Sequence, residues 1–362
     1  MLGFKWVVLA VITLCIIASS KLHAVPGTDI SLFRILNDGA TLSLKFEKTL
    51  VQRKGYDNQP AFTEDSSAMV YTRMEQNATD IWLVPLPVND ALGDEHNSTE
   101  SEVKEHKTKV LEQERLEQKE LDKATRKEVF LQPRAITQTP ESEYSATPGL
   151  YRAYTDASKT NTSDTNALKT NESDTNESNR EIMFSAVVAS DKQQTLWRYN
   201  HDKPAEKLSG PITPVGYHAW VNQQQLAMFR LSNPHELVLY TLGNDDYDVV
   251  AKDIGRCLVS QNNGDEFFFV QNQQRSKAIY SYSLKQGKAN KVITLFDDNE
   301  DFAYHPEIGL IHSNGSRLFF SLAPYEQWSS LPTRSNTKLT NISRLAISPD
   351  AKWLAVVHQD LD

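Results

Sequence analysis

Apolar and polar positions along this chain alternate in short runs separated by polar turns, which is the period of β-strands and not of helices. The sharpest unit spans Tyr56 to Tyr71: a short strand through Pro60, Ala61 and Phe62, a tight turn at Glu64 to Ser67, and a second strand through Met69, Val70 and Tyr71. Asp80-Ile81-Trp82-Leu83-Val84 predicts a third strand. The same pattern returns at Asn341 to Val357, around Ser348-Pro349-Asp350-Ala351. That tetrapeptide is a strong turn former, because proline fixes φ and aspartate can bond its own backbone two residues on.

Four weaker copies lie between these ends, each an apolar segment, a turn and another apolar segment. They run from Glu143 to Tyr199, Gly216 to Tyr240, Ile254 to Tyr282 and Asp301 to Phe320. Where uninterrupted, the spacing is about 40 residues, that of four-stranded propeller blades. Six units result, and the last has too few strands. Asp29 to Ile35 carries the alternation of an outer strand and supplies the missing piece. The expected fold is therefore all-β, a six-bladed β-propeller over residues 28 to 362, closed by its N-terminal strand so that the seam has no exposed edge.

The forms Pro60 to Ser66, Ile347 to Ala351 and Asp80-Ile81-Trp82 resemble the WD40-like repeat of TolB-type propellers. The resemblance is strong in the first and last full units and weak in the middle four. It specifies a blade and carries no catalytic residue. What it implies is an exported bacterial protein that binds other proteins, or a propeller that sits beside a hydrolase domain.

Two stretches break the pattern. Residues 89 to 127 are dense in Glu, Lys, Gln and Arg, with no Gly or Pro after Gly93, which predicts a solvated helical insert. Residues 156 to 179 repeat Lys-Thr-Asn and Ser-Asp-Thr-Asn with almost no apolar content, which predicts a disordered loop inside the second blade.

At the N-terminus Lys5 precedes an apolar run from Val7 to Ala18, followed by small residues. The run is short for a membrane span, so residues 1 to 24 read as a cleaved signal peptide and the protein as periplasmic or secreted, with a retained N-terminal anchor as the competing reading. The two cysteines are Cys15 and Cys257. With the first removed no intrachain disulfide forms, and the fold must stand on packing. Net charge is −9, which argues against a nucleic-acid face.

The search for chemistry finds no Gly-x-Ser-x-Gly elbow, Walker loop, Rossmann fingerprint or paired-cysteine motif. Asn244 to Asp246 and Asp297 to Asp301 are acidic but lack the spacing and central glycine of a calcium loop. His218 and His305 begin different units, where His-His-carboxylate convergence would suggest zinc and polar channel residues are the plainer reading. No metal or cofactor is expected.

Aligning the repeats places Gln59, Tyr144, His218, Arg256, Asp301 and Arg344 near the first-strand position of successive blades. A polar funnel with aromatic walls and two arginines would suit an acidic peptide or a C-terminus. A register error of one would turn a given side chain away. These features lead to a non-catalytic, monomeric scaffold that binds a protein or peptide partner in the cell envelope. The alternative is a propeller enzyme or regulatory module that takes a small ligand or metal at the central channel.

Overall fold

The computed structural model describes residues 26–39, 41–87, 132–149, 182–190, 193–200, 203–244, 246–260, 264–334 and 337–359. The expected signal segment at 1–24 and the expected inserts at 89–127 and 156–179 lie outside these residues. The described residues hold 24 strands and no helix.

The strands form six four-stranded antiparallel sheets. Blade 6 is made from both ends of the chain: β1 (Thr28–Asn37) and β2 (Leu42–Val51) lie outside β24 (Trp353–Gln359) and β23 (Arg344–Ile347). Blade 1 is β3 (Asp57–Phe62), β4 (Ala68–Glu75), β5 (Ala78–Pro85) and β6 (Arg134–Ala135). Blade 2 is β7 (Ser142–Pro148), β8 (Phe184–Ser190), β9 (Gln193–Asn200) and β10 (Lys203–Lys207). Blade 3 is β11 (Val215–Trp220), β12 (Gln225–Arg230), β13 (Glu236–Thr241) and β14 (Tyr247–Lys252). Blade 4 is β15 (Ile254–Ser260), β16 (Glu266–Asn272), β17 (Lys277–Ser283) and β18 (Lys288–Thr294). Blade 5 is β19 (Phe302–His305), β20 (Gly309–Ser313), β21 (Leu318–Ser321) and β22 (Ser329–Ser330). The innermost strands touch in the order β23, β3, β7, β11, β15, β19 and back to β23, so the ring is closed and β23 stands opposite β11.

A blade in the middle of such a ring is buried on both faces, and this is why the second strands read as continuous apolar runs. Side chains along a strand alternate between faces. In β12, Leu226 and Met228 pack toward blade 2, while Ala227 and Phe229 pack toward blade 4. In β16, Phe267 and Phe269 face blade 3, and Phe268 and Val270 face blade 5. Each interface between neighbouring blades has its own apolar cluster, six in all among the described residues. Each fully buried Leu, Val or Phe in them contributes roughly 1.5–3 kcal/mol of transfer free energy.

Blade 6 has one further contact. The segment after β22 lies along the outer side of β2, where the Leu44 N–H donates to Pro332 O (2.8 Å) and the Arg334 N–H to Leu44 O (2.6 Å). Leu44 and Thr333 form a parallel bridge there.

Candidate functional site

The inner strands surround a cavity of about 520 Å³. Four of them are irregular. Register shifts fall between Asn58 and Ala61 in β3, Tyr144 and Thr147 in β7, Val215 and Tyr217 in β11, and Ile254 and Leu258 in β15. Gln59 and Ser145 at the first two both have φ of 55°, a left-handed conformation uncommon outside glycine. Such bulges re-aim side chains and recur beside binding sites. Here the two are stitched together: Gln59 Oε1 accepts the Ser145 N–H (2.7 Å) and the Thr72 hydroxyl (2.8 Å).

The cavity floor is a charged cluster at the starts of β15, β19 and β23. Arg344 Nη1 donates to both Asp301 oxygens, at 2.7 and 2.8 Å, and Arg256 Nη2 donates to Asp301 Oδ2 at 2.6 Å. The Asp301 side chain is 3% exposed and that of Arg344 14%. Burial acts to lower the Arg344 pKa, and the negative charges facing it, Asp301 first, more than reverse this. Arg344 Nη2 also donates to the Tyr217 hydroxyl at 3.3 Å, and its guanidinium lies 5.6 Å from the Tyr217 ring centroid. Because Tyr217 is on β11, opposite β23, this contact crosses the channel axis. The Tyr56 phenol feels the same charges, and burial raises its pKa.

Arg256 differs from Arg344. Its side chain is 38% exposed, and Nε lies 3.9 Å from Glu300 Oε1, too far for a hydrogen bond. Nε has no hydrogen-bond partner among the described residues, while the Arg256 N–H donates to Glu300 Oε2 at 3.2 Å. An acidic loop fixes Asp301 from behind. Asn299 Oδ1 accepts the Asp301 N–H (3.2 Å), and Asn299 Nδ2 donates to Ser313 O (3.0 Å) and Ile342 O (3.1 Å).

The expected channel positions therefore divide. Arg256, Asp301 and Arg344 meet at the floor, and Gln59 lines the cavity while bracing blades 1 and 2. Tyr144 packs into the apolar interface between blades 2 and 3. His218 is among the cavity-lining residues and reaches blade 2: its Nε2 is 2.6 Å from Ser185 Oγ, which accepts the Trp220 indole N–H at 2.9 Å. Ser185 Oγ also donates to Thr147 O at 3.4 Å, and His218 Nδ1 has no hydrogen-bond partner among the described residues. Burial pushes the His218 pKa down to about 3, so the ring is neutral in this role. His305 is at the rim, with Nε2 3.1 Å from Pro349 O. Cys257 lines the wall, and burial pushes its thiol up to about 12, away from reactive thiolate. Tyr217 and Tyr56 were not singled out in the sequence; Tyr217 is one residue from His218, the size of error that a bulge introduces. Among the described residues no group of three or more His, Cys, Asp or Glu side chains converges on a point where a metal could sit, and no helix is long and apolar enough to cross a membrane.

No protein-family model matches the chain, and no curated protein matches it. Solved structures do. A putative TolB from Agrobacterium tumefaciens superposes with a TM-score of 0.51 at 7% identity, over 94% of this chain and 100% of that one. TolB from Acinetobacter baumannii gives 0.45 at 8% identity, over 92% of this chain, which spans 64% of that longer protein. A gluconolactonase from Xanthomonas campestris gives 0.49 at 10% identity, over 93% and 97% of the two chains. Oligogalacturonate lyases, one in complex with manganese, give 0.41 and 0.39. The fold is a TolB-like six-bladed β-propeller.

One expectation is corrected. The missing nucleophile elbow suggested a protein without catalysis. The elbow belongs to another fold, so its absence excludes nothing in a propeller, and the non-catalytic reading is withdrawn.

Proposed function

We propose that this propeller binds a small anionic ligand in its central cavity, and works there as an enzyme or as the ligand-sensing module of one. One observation carries the reading: the Arg256 side chain is 38% exposed at the cavity, with Nη2 bonded to Asp301 Oδ2 and no hydrogen bond from Nη1 among the described residues. A guanidinium is a planar fork that matches a carboxylate, and an anion bound to it would gain charge-assisted hydrogen bonds in a site already walled from solvent. Asp301 and Arg344 hold Arg256 in place; the carboxylates of Asp301 and Glu300 balance the two guanidiniums, so the ligand is held by the unengaged donors of Arg256 and not by an excess of charge.

The test is titration calorimetry of the full chain with acetate, benzoate and inorganic phosphate. At least one should bind, and Arg256→Gln should weaken it by about ten- to a hundredfold, the worth of a charged hydrogen bond. Absence of binding by all three, or binding indifferent to Arg256, overturns the proposal.

A second reading concerns location and company: a cell-envelope protein, exported through residues 1 to 24, that holds a protein or peptide partner. The apolar run from Val7 to Ala18 supports it. Fractionation of expressing cells tests the export, and affinity capture from the envelope fraction tests the partner.

A further inference from the structure

We infer that the ligand is a linear monocarboxylate with an apolar stem, seated end-on with its carboxylate at Arg256; this rests on the anion-binding reading above. Three observations carry it.

The first is that the cavity is blind. Arg344 reaches across the ring to Tyr217, and Asp301 and Arg256 complete the same layer. The cavity lining begins at this layer and runs toward the C-terminal ends of the inner strands, reaching Pro148, Trp220, Pro306 and Pro349. A polymer cannot thread such a space, whereas a chain end can enter and stop against the floor.

The second is the wall. One or two residues beyond the floor position, five blades place alanine against the cavity: Ala61, Ala146, Ala219, Ala303 and Ala346, with Leu258 completing the circle. Small side chains keep the passage open at this level and make it apolar. The third is the distribution of charge. Among the lining residues away from the floor, the one carboxylate is Glu64, in the turn after β3, and the rim also carries His305, the last residue of β19. Between floor and rim the wall carries no opposite charge for a second carboxylate, only hydroxyls such as those of Ser145, Thr147 and Tyr304, and burying a charge without an ionic partner is costly. The unengaged Arg256 donors below an uncharged, narrow, small-residue wall are complementary to one carboxylate followed by methylenes.

The probes are the straight-chain series acetate, butanoate, hexanoate and octanoate, together with octanedioate, each titrated into the full chain. Affinity should rise roughly fourfold per buried methylene. Octanedioate should bind at least tenfold more weakly than octanoate, because its second carboxylate falls within the uncharged wall. Ala346→Leu, at a partly exposed wall position, should weaken octanoate at least tenfold more than it weakens acetate. If that variant fails to fold, the chain-length series in the native protein decides alone. Binding of acetate through Arg256 with no gain from chain length, or equal affinity for octanoate and octanedioate, overturns the stem while leaving the anion site standing. Binding of none of the probes overturns both.

Discussion

In blade 6 the turn between β23 and β24 is held by a hydroxyl and a carboxylate. Ser348 Oγ donates to Asp350 Oδ1 (2.6 Å) and accepts the Trp353 N–H (2.9 Å), and Asp350 Oδ1 accepts the Lys352 N–H (3.1 Å). In blade 1 the turn between β3 and β4 repeats this wiring: Thr63 Oγ1 donates to Asp65 Oδ1 (2.7 Å) and accepts the Ala68 N–H (3.0 Å), and Asp65 Oδ1 accepts the Ser67 N–H (3.1 Å). Even the residue with positive φ matches, Ala351 at 59° and Ser66 at 56°. Blades 3 and 5 reach the same reversal otherwise. Asn222 Oδ1 alone accepts the N–H groups of Gln224 and Gln225, both at 3.0 Å, and in blade 5 the His305 ring accepts the Glu307 N–H at 3.2 Å. The contrast teaches that the repeat consensus encodes one solution for a turn. A blade survives its loss because the interface clusters, and not the turns, hold it against its neighbours.

Four measurements would break or sharpen this contrast. The largest effect is expected at the floor, where Asp301 of a degenerate blade is bonded to Arg344 of a consensus blade. Asp301→Ala strands a buried guanidinium and should cost about 3–5 kcal/mol in urea unfolding. A loss below about 1 kcal/mol would mean that the blades do not depend on the floor.

Next comes pH. Asp57 in blade 1 is fully buried, and burial pushes its carboxyl up from 3.8 to about 6 against the pull of Arg53, whose Nε is 3.0 Å away. The native state therefore binds this proton more tightly than the unfolded chain does. Its contribution is fully present below about pH 4 and is lost as pH rises through about 6. Asp57→Asn should remove that loss, gaining on the order of 3 kcal/mol relative to the native chain between pH 4 and pH 7. Parallel stability curves for the two proteins would sink the prediction.

Smaller effects separate the turns themselves. Ser348→Ala leaves the buried Trp353 N–H without a side-chain acceptor and should cost about 1–2 kcal/mol by thermal or urea unfolding. Asn222→Ala, at a partly exposed turn, should cost below about 1 kcal/mol. If the two losses are equal, the consensus turn has no energetic advantage over its substitutes.

The sequence announces the blades through burial and hides the site through geometry. Second and third strands such as Phe267 to Val270 or Leu237 to Tyr240 are apolar because both faces are covered, and they can be read directly. Outer strands cannot: β14 and β18 are largely exposed on their visible face, so their residues carry little alternation to read. β2 escaped for a related reason, since Lys45 to Lys48 interrupts its apolar pattern. The floor residues Arg256, Asp301 and Arg344 could be reached by aligning repeats because each begins a unit. Bulges fall in β3, β7, β11 and β15 alike, so alignment alone does not say which of Gln59, Tyr144, His218 and Arg256 meets the floor. With a period of two, one inserted residue sends a side chain to the opposite face, and Tyr217 meets Arg344 where His218 was expected.

The short crossing of residues 332 to 334 over β2 has a consequence for the molecule in a crowded solution. Outer strands of a ring of sheets are its adhesive surfaces, since their free N–H and C=O groups can template a strand from another molecule. β6 and β22 are two residues each and offer little to copy. β2, at ten residues, would be the most dangerous edge, and it lies in the blade assembled from the two distant ends of the chain. By taking both backbone groups of Leu44, the crossing covers the start of that edge, and the stretch left from 45 to 51 carries Lys45, Glu47 and Lys48, charges that discourage pairing with another molecule.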